Sequence, residues 1–173
     1  MRLFIAINFP PEPVAAFVRA QDALRRASPS ASFSRRENLH LTLAFLGEQP
    51  SARVPDIREA MAAARFRPFS LSFDRAGRFR REEGDVCYLS CAESPPLLAV
   101  QRRLARGLTE RGFALEDRRF VPHLTLARRV QLPPGFELSS ILERPIDAPA
   151  RALSLMLSER RAGRLVYTEL HHT

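Results

Sequence analysis

One five-residue stretch with chemically useful side chains occurs twice in this sequence. The segment HLTLA begins at His40 and returns, residue for residue, 83 positions later at His123. Alternate side chains of a β-strand share a face, so the His and Thr of each copy lie on one surface and the two leucines on the other. Because the chain has only 4 histidines, two of them in identical settings indicate a shared site rather than two unrelated strand histidines.

Two imidazoles that face each other can divide the work of acid–base catalysis. The ordinary imidazole pKa is about 6.5, so one ring can accept a proton from water while the other donates one to a leaving oxygen. The hydroxyls of Thr42 and Thr125 can donate hydrogen bonds to the oxygens of a phosphate ester. Arg128, five residues after His123, is the local candidate to stabilise the charge on a pentavalent phosphorus.

Metal-dependent hydrolysis is the competing interpretation of the paired motif. Two histidines are too few ligands, and the only nearby carboxylates, Glu37 and Glu48, flank the first copy alone. A serine hydrolase is disfavoured because no Gly-x-Ser-x-Gly turn occurs. All 27 basic residues are arginine, which excludes P-loop, Schiff-base and lysine–nucleotide chemistry. We therefore expect neither a metal nor a cofactor.

Length and charge restrict the possible partners. The chain has 173 residues, of which 45% are hydrophobic, enough for one domain or two fused half-domains with a core. Without a leader segment or an apolar run that could cross a bilayer, we expect a soluble, cytoplasmic monomer that contacts no membrane. The net charge of +8 favours an anionic partner, with nucleic acid first, although scattered solvated arginines would give the same value.

Hydrophobic patterning predicts alternating strands and helices. Ser94 followed by Pro95 is typical of a helix start, Gly112 suits a helix end, and Ala162-Gly163 suits a hairpin turn. The expected helices are 11–27, 54–65 and 95–111, with a short helical piece at 138–142. The expected strands are 2–8, 39–46, 69–73, 86–91, one starting near 121, 153–157 and 166–170.

Three other features of the sequence each carry a prediction. Segment 75–85 is rich in charge and glycine, so we expect a mobile loop or a hairpin tip between the two halves of the chain. Cys87 and Cys91 lie four residues apart in a strand, about 13 Å from each other at ~3.3 Å per residue, and should remain reduced. We expect His171 and His172 to lie at a frayed terminus without a chemical role.

The repeat extends beyond the five identical residues. Strand, helix and HLTLA strand recur in the same order at the same offset, with no gap needed. We expect an α+β domain of two pseudo-symmetric lobes, from repeats 1–75 and 85–158, each an antiparallel sheet with helices packed outside. A central cleft between such lobes is where ligands bind. The matching positions are Leu3 with Val86, Ile5 with Tyr88, Pro13 with Pro96 and Val14 with Leu97.

The surroundings of both copies resemble a known family. Segments 37–47 (ENLHLTLAFLG) and 119–128 (RFVPHLTLAR) are similar to the two-histidine phosphoesterase superfamily. Within it they resemble the bacterial RNA 2′,3′-cyclic phosphodiesterases, also called 2′-5′ RNA ligases. The first strand also fits, so the likeness spans most of the chain. One departure is Phe33, which stands where relatives often carry Trp; it would alter base stacking but not the chemistry.

The resemblance implies metal-independent hydrolysis of RNA 2′,3′-cyclic phosphate ends to 2′-phosphomonoesters, with a reversible 2′-5′ joining activity. The implied partners are RNAs with such ends, for example tRNA-derived fragments or other oligonucleotides. By motif position, His40 is the implied proton donor to the departing 3′ oxygen and His123 the implied proton acceptor from water. The implied substrate-binding residues are Thr42, Thr125 and Arg128 on the phosphate and Phe45 against the base.

Two questions stay open at this stage. Phe45 and Arg128 each lie an odd number of residues from their His, so they reach the cleft only if each strand ends or bulges. The substrate could also be a small nucleotide such as ADP-ribose cyclic phosphate, or the chain could be a non-catalytic RNA-binding module. A long basic groove would favour RNA, and a closed pocket would favour the small nucleotide.

Overall fold

Nine strands form two antiparallel sheets in the computed structural model, which describes residues 1–117 and 119–173. In chain order the strands are β1 (Arg2–Asn8), β2 (Ser32–Phe33), β3 (His40–Glu48), β4 (Phe69–Phe79), β5 (Asp85–Cys91), β6 (His123–Val130), β7 (Ile146–Ala150), β8 (Ser154–Arg161) and β9 (Arg164–His172). The helices are α1 (Pro11–Ala27), α2 (Val54–Ala63) and α3 (Pro95–Glu110), and short 3₁₀ helices lie at Arg36–Asn38, Ser51–Arg53 and Leu138–Ile141. None of the helices in the described ranges is long and apolar enough to cross a membrane.

The two halves of the chain exchange strands. The first sheet has the order β3-β1-β8-β9 and the second has the order β2-β6-β5-β4-β7. Strand β4 therefore leaves the first half to lie beside β5, and β8 leaves the second half to lie beside β1. The predicted α+β fold with two antiparallel lobes is confirmed. The repeat boundaries at 1–75 and 85–158 stay a prediction.

The helices pack on the outer faces of the two sheets. Helix α1 contacts β6 and β7 of the second sheet, whereas α3 contacts β3 of the first sheet and α2 packs on α3. Helical spacing places Val14, Phe17 and Leu24 on one buried face of α1. The Phe17 ring meets Phe73 of β4 edge to face at 5.0 Å. Burial of such side chains, at about 1.5–3 kcal/mol each, holds α1 to a sheet formed largely by the other half.

Both HLTLA strands contain a β-bulge at the same position. The pairing partners in β1 skip Leu43 of β3, and the partners in β5 skip Leu126 of β6. An inserted residue reverses the direction of the side chains that follow it, up to the next irregularity in the strand. Side chains after the bulge that a regular strand would direct to the core therefore share the face of the His and Thr.

Gln21 of α1 stabilises the bulge in β6. Its side chain is only 2% exposed, and Nε2 donates to the carbonyl oxygen of Leu126 at 2.7 Å and to that of Ser34 at 2.8 Å. The Ser34 amide also donates to the Leu126 oxygen, at 2.9 Å. The hydrogen bond to Leu126 is buried and the one to Ser34 is partly buried. The buried bond contributes more than one on the surface, because the Leu126 carbonyl cannot turn to water.

The pairing of β1 and β5 corrects the predicted repeat register by one residue. Ala6 pairs with Thr42, and Tyr88 pairs with Thr125, so Ala6 corresponds to Tyr88 at an offset of 82. The prediction that Ile5 matches Tyr88 with no gap is wrong. Five consecutive residues of β1 are buried, so hydrophobicity does not distinguish its two faces and cannot fix the register.

Several predicted element limits also differ from the structure. Strand β4 continues to Phe79, so the expected loop at 75–85 is wrong over 75–79, and a hairpin tip is confirmed only at 80–84. That hairpin joins neighbouring strands of one sheet, not the two halves. Backbone pairing with β5 maintains the strand although its charged side chains are exposed. Strand β7 contains Pro149, a residue that argues against a strand, and was not predicted.

The prediction for the histidines near the C-terminus is wrong, whereas the prediction for the cysteines is confirmed. His171 and His172 pair with β8 inside β9, so the expected frayed terminus is wrong. Cys87 and Cys91 are free, as predicted, and both are buried. Burial raises the pKa of the Cys87 thiol to about 11, so the protonated thiol dominates at neutral pH.

Replacement of Gln21 by Leu tests the role of this amide in the fold. The variant removes the buried hydrogen bond to Leu126 and the partly buried one to Ser34, and we expect a loss of about 1–3 kcal/mol in the free energy of unfolding. Gln101→Leu on α3, where the side chain is half-buried, is the matched control. Chemical denaturation that gives equal stabilities for both variants would contradict this role.

Candidate active site

The two repeated histidines occupy equivalent positions on neighbouring strands. His40 begins β3 and His123 begins β6, and these two strands contact each other. Each Nδ1 lies 2.7 Å from the carbonyl oxygen two residues earlier, that of Asn38 or of Val121. A carbonyl only accepts, so Nδ1 carries the hydrogen in both rings, and Nε2 is the nitrogen that can exchange a proton.

The two carbonyls that orient the imidazoles are held differently. Asn38 is buried, and its side-chain Nδ2 donates to the Leu165 carbonyl oxygen at 3.1 Å, which ties the 3₁₀ helix before β3 to β9. Val121 is 42% exposed. The backbone that orients His40 is therefore anchored by a side chain from its own repeat, and the corresponding residue before His123 is an exposed apolar one.

Aromatic rings surround both imidazoles. Each His contacts one phenylalanine and one tyrosine, contributed by strands distant in sequence. The ring-centroid distances are 4.9 Å from His40 to Phe4, 5.3 Å from His40 to Tyr167, 5.2 Å from His123 to Phe79 and 5.4 Å from His123 to Tyr88. Sequence reasoning missed all four rings, because nothing in the local pattern connects them to the HLTLA segments.

The surroundings of His40 favour its neutral form. Burial lowers the pKa of His40 to about 4, the hydrogen bond to Asn38 opposes this shift, and the electrostatic interactions with His123 and Arg128 add to it. His40 is therefore neutral at pH 7 in the unliganded protein. A proton donor must carry the proton it gives, so the role implied for His40 requires a bound anion that raises this pKa again.

The two threonines lie on the same face as the histidines. Thr42 Oγ1 is 2.9 Å from Nε2 of His40. Because Nε2 of the neutral ring only accepts, the Thr42 hydroxyl donates this hydrogen bond. Thr125 occupies the same place in β6 and is half-buried.

The two bulges bring Phe45 and Arg128 to the face of the imidazoles. The Phe45 ring is 38% exposed, and Arg128 is exposed. The Arg128 charge lowers the pKa of His40 and also acts on the hydroxyl of Tyr167, so its guanidinium lies near both. The predicted condition for both residues, a bulge in the strand, is met, and the assignment of the six residues to one site stays a prediction.

Three other residues considered from sequence lie elsewhere. Phe33 pairs with the buried Ala127, and its ring lies under the Arg25 guanidinium of α1 at 4.1 Å. It is therefore on the helix side of the sheet, and the expectation that it alters base stacking is wrong. Glu37 pairs with Arg35, and Glu48 pairs with the Met1 amine at 3.2 Å. Across residues 1–117 and 119–173, no three His, Cys, Asp or Glu side chains converge as metal ligands.

Two antiparallel sheets whose His-x-Thr strands, β3 and β6, contact each other are the arrangement expected of a two-histidine phosphoesterase. The sequence profile of the 2′-5′ RNA ligase superfamily matches residues 10–163. The chain belongs to this superfamily.

Individual relatives agree with this assignment. An RNA 2′,3′-cyclic phosphodiesterase of Thermus thermophilus is 33% identical over 178 residues, which is 98% of this chain and 88% of the relative. One of Geobacillus stearothermophilus is 31% identical over 145 residues; the match covers 82% of this chain but only 46% of that longer protein. The crystal structure of E. coli LigT complexed with 3′-AMP superposes with a TM-score of 0.80 and 28% identity, and the match covers 99% of this chain and 96% of that one.

A phosphate titration tests the electrostatics of His40. We expect its pKa in the unliganded protein to lie near 4, and saturating inorganic phosphate to raise it, because a nearby anion favours the imidazolium. Imidazole chemical shifts followed by NMR against pH, with and without phosphate, measure both values. His171→Ala removes one of the other ring signals and assists assignment. A His40 pKa of about 6.5 that does not change when phosphate is added would contradict this account.

Proposed function

We propose that this chain hydrolyses the 2′,3′-cyclic phosphate at the 3′ end of RNA to a 2′-phosphomonoester, with two histidines as acid and base. The observation that carries the proposal is that both Nδ1 atoms donate to backbone carbonyls, which leaves Nε2 of each ring for proton transfer. The relatives named RNA 2′,3′-cyclic phosphodiesterases support the enzyme class. The chain is a phosphoric diester hydrolase.

His40 and His123 act on opposite sides of the phosphorus. Neutral His123 accepts a proton at Nε2 from water as the water oxygen bonds to phosphorus. The bond from phosphorus to the 3′ oxygen breaks, and protonated His40 gives its Nε2 proton to that oxygen. The product carries a 2′-phosphate and a 3′-hydroxyl, and the two rings exchange their protons through solvent before the next turnover.

Substrate binding prepares His40 for this role. The cyclic phosphate brings a negative charge beside a ring whose pKa is low mainly because of burial, and this charge favours the protonated form. Once Nε2 carries a proton it can no longer accept the hydrogen bond from Thr42. The Thr42 hydroxyl then turns to donate to a non-bridging phosphate oxygen, so protonation of His40 and phosphate binding support each other.

The remaining site residues hold the substrate. Thr125 donates to a second non-bridging oxygen from the opposite strand. Arg128 stabilises the additional negative charge that develops on the pentavalent phosphorus, where a guanidinium contributes most because that charge is greatest in the transition state. Phe45 presents an exposed ring against which the base of the terminal nucleotide can stack.

The same arrangement accounts for a ligation activity. If a 5′-hydroxyl takes the place of water, His123 accepts its proton and the phosphate remains on the 2′ oxygen, which gives a 2′-5′ linkage. This reaction requires no step that hydrolysis lacks, so we propose that it is a reversible side of the same chemistry.

Replacement of each histidine tests the two roles. We expect His40→Ala and His123→Ala each to lower the hydrolysis rate by roughly 10²–10⁴-fold, the usual contribution of acid–base catalysis. A substrate with a better leaving group at the 3′ position needs less help from an acid, and should restore His40→Ala more than His123→Ala. His171→Ala in β9 is the control and should retain the wild-type rate. Equal rescue of both variants, or a 3′-phosphate product, would overturn the assignment of roles.

Chelation tests whether imidazoles and arginine suffice for catalysis. We expect the hydrolysis rate to persist in EDTA, because His40, His123 and Arg128 provide the proton transfers and the charge that a metal would otherwise provide. The measurement compares initial rates before and after dialysis against EDTA. Loss of activity with recovery on addition of zinc or manganese would show that a metal takes part.

A further inference from the structure

Arg2 lies at the edge of the site although no motif drew attention to it. Its guanidinium carbon is 5.0 Å from the centroid of the Phe45 ring. Its charge, like that of Arg128, acts to lower the pKa of the Tyr167 hydroxyl, against the larger effect of burial. Arg2 therefore contacts Phe45 and lies close enough to Tyr167 to act on its hydroxyl, on the face of the first sheet that carries His40.

Among the residues that the structure describes, no carboxylate forms an ion pair with Arg2. Glu48 is its backbone partner in β3, but the Glu48 carboxylate contacts the Met1 amine at 3.2 Å. Among residues 1–117 and 119–173, no Asp or Glu oxygen lies within 4 Å of the Arg2 guanidinium. A planar cation that is stacked on an aromatic ring and has no ion-pair partner is well suited to bind an anionic, planar ligand.

The opposite end of the same sheet face has the opposite charge. Asn8 closes β1 at the level of His40, and its Nδ2 donates to the Glu169 carboxylate at 3.1 Å. Nδ1 of His172 lies 3.1 Å from the same carboxylate. A phosphodiester chain that extends from the histidines would be repelled by Glu169 and attracted by Arg2.

We propose that Arg2, which lies over the Phe45 ring, binds the nucleotide that precedes the cyclic-phosphate nucleotide in single-stranded RNA. The guanidinium contacts the phosphate that joins the two nucleotides, and the base of the preceding nucleotide stacks on the exposed face of the guanidinium. The exposed part of the Phe45 ring remains for the base of the terminal nucleotide. This proposal rests on the proposed function and names its substrate class. A mononucleotide cyclic phosphate has no such upstream nucleotide and gains nothing from Arg2.

A binding experiment tests the proposal without depending on catalysis. The probes are a 5′-fluorescein-labelled uridine hexamer with a terminal 2′-phosphate, followed by anisotropy, and uridine 2′-monophosphate, followed by calorimetry. We expect Arg2→Gln to weaken hexamer binding by about fivefold or more, since base stacking contributes roughly 1–3 kcal/mol per base. Affinity for the mononucleotide should fall by a clearly smaller factor, so the ratio of the two affinities should drop.

Two further variants separate charge, stacking and general surface effects. Arg2→Lys keeps the charge but loses the planar stack, so it should retain the salt dependence of hexamer binding, whereas Arg2→Gln should reduce the salt slope by roughly one. Arg102→Gln, on the exposed face of α3, has the same change in net charge and should leave the affinity ratio at the wild-type value. Circular dichroism checks that each variant is folded.

An affinity ratio for Arg2→Gln that equals the ratios of wild type and Arg102→Gln would overturn the proposal. Failure of the protein to hydrolyse a cyclic phosphate would instead refute the proposed function. Because the probes are products rather than substrates, the binding result remains interpretable in either case.

Discussion

The bulge in each HLTLA strand is the constraint on which the site depends. Without Leu43 and Leu126 as extra residues, strand alternation would turn Phe45 and Arg128 into the core and leave each lobe with only a His and a Thr. A bulge leaves backbone groups outside the regular ladder, and these need other partners. At Leu126 the partner is Gln21, from a helix of the other half. The position of the Arg128 guanidinium, which acts on both His40 and Tyr167, thus depends on a hydrogen bond between the two repeats.

Pseudo-symmetry accounts for what the two lobes share, and the exceptions to it account for the asymmetry of the site. Because β4 and β8 each lie in the sheet of the other half, both sheets contain strands from both halves. Strands β3 and β6 of the two sheets contact each other. The two repeats differ at positions that correspond in sequence. Phe45 corresponds to Arg128, Asn38 to Val121 and Gln21 to Leu104. One lobe thus presents a ring and the other a guanidinium, as suits a substrate with a base on one side of its phosphate.

Sequence reasoning succeeded where one local rule was sufficient. The HLTLA pair is readable because alternation alone places His with Thr, and the first turn of α3 is readable because the Ser94 cap is local, with its Oγ 3.4 Å from the Leu97 amide. The bulges are not readable, since buried apolar residues at Leu43 and Ala44 satisfy either register. The aromatic rings around the histidines could not be predicted for a different reason: Phe4 and Tyr167 contact His40 only because of the order of strands in the sheet.

The electrostatics of the cleft resolve an apparent conflict between a cationic site and a proton donor with a low pKa. Arginine near His40 attracts phosphate but also disfavours the imidazolium, and burial between Phe4 and Tyr167 disfavours it further. Neutral His40 therefore avoids an uncompensated buried charge, which would lower the stability of the fold. In the proposed mechanism, the bound phosphate reverses this balance at the step in which His40 donates its proton. On this argument, the same burial that keeps His40 neutral in the free protein makes its protonation respond strongly to phosphate, because charges interact more strongly where water is excluded.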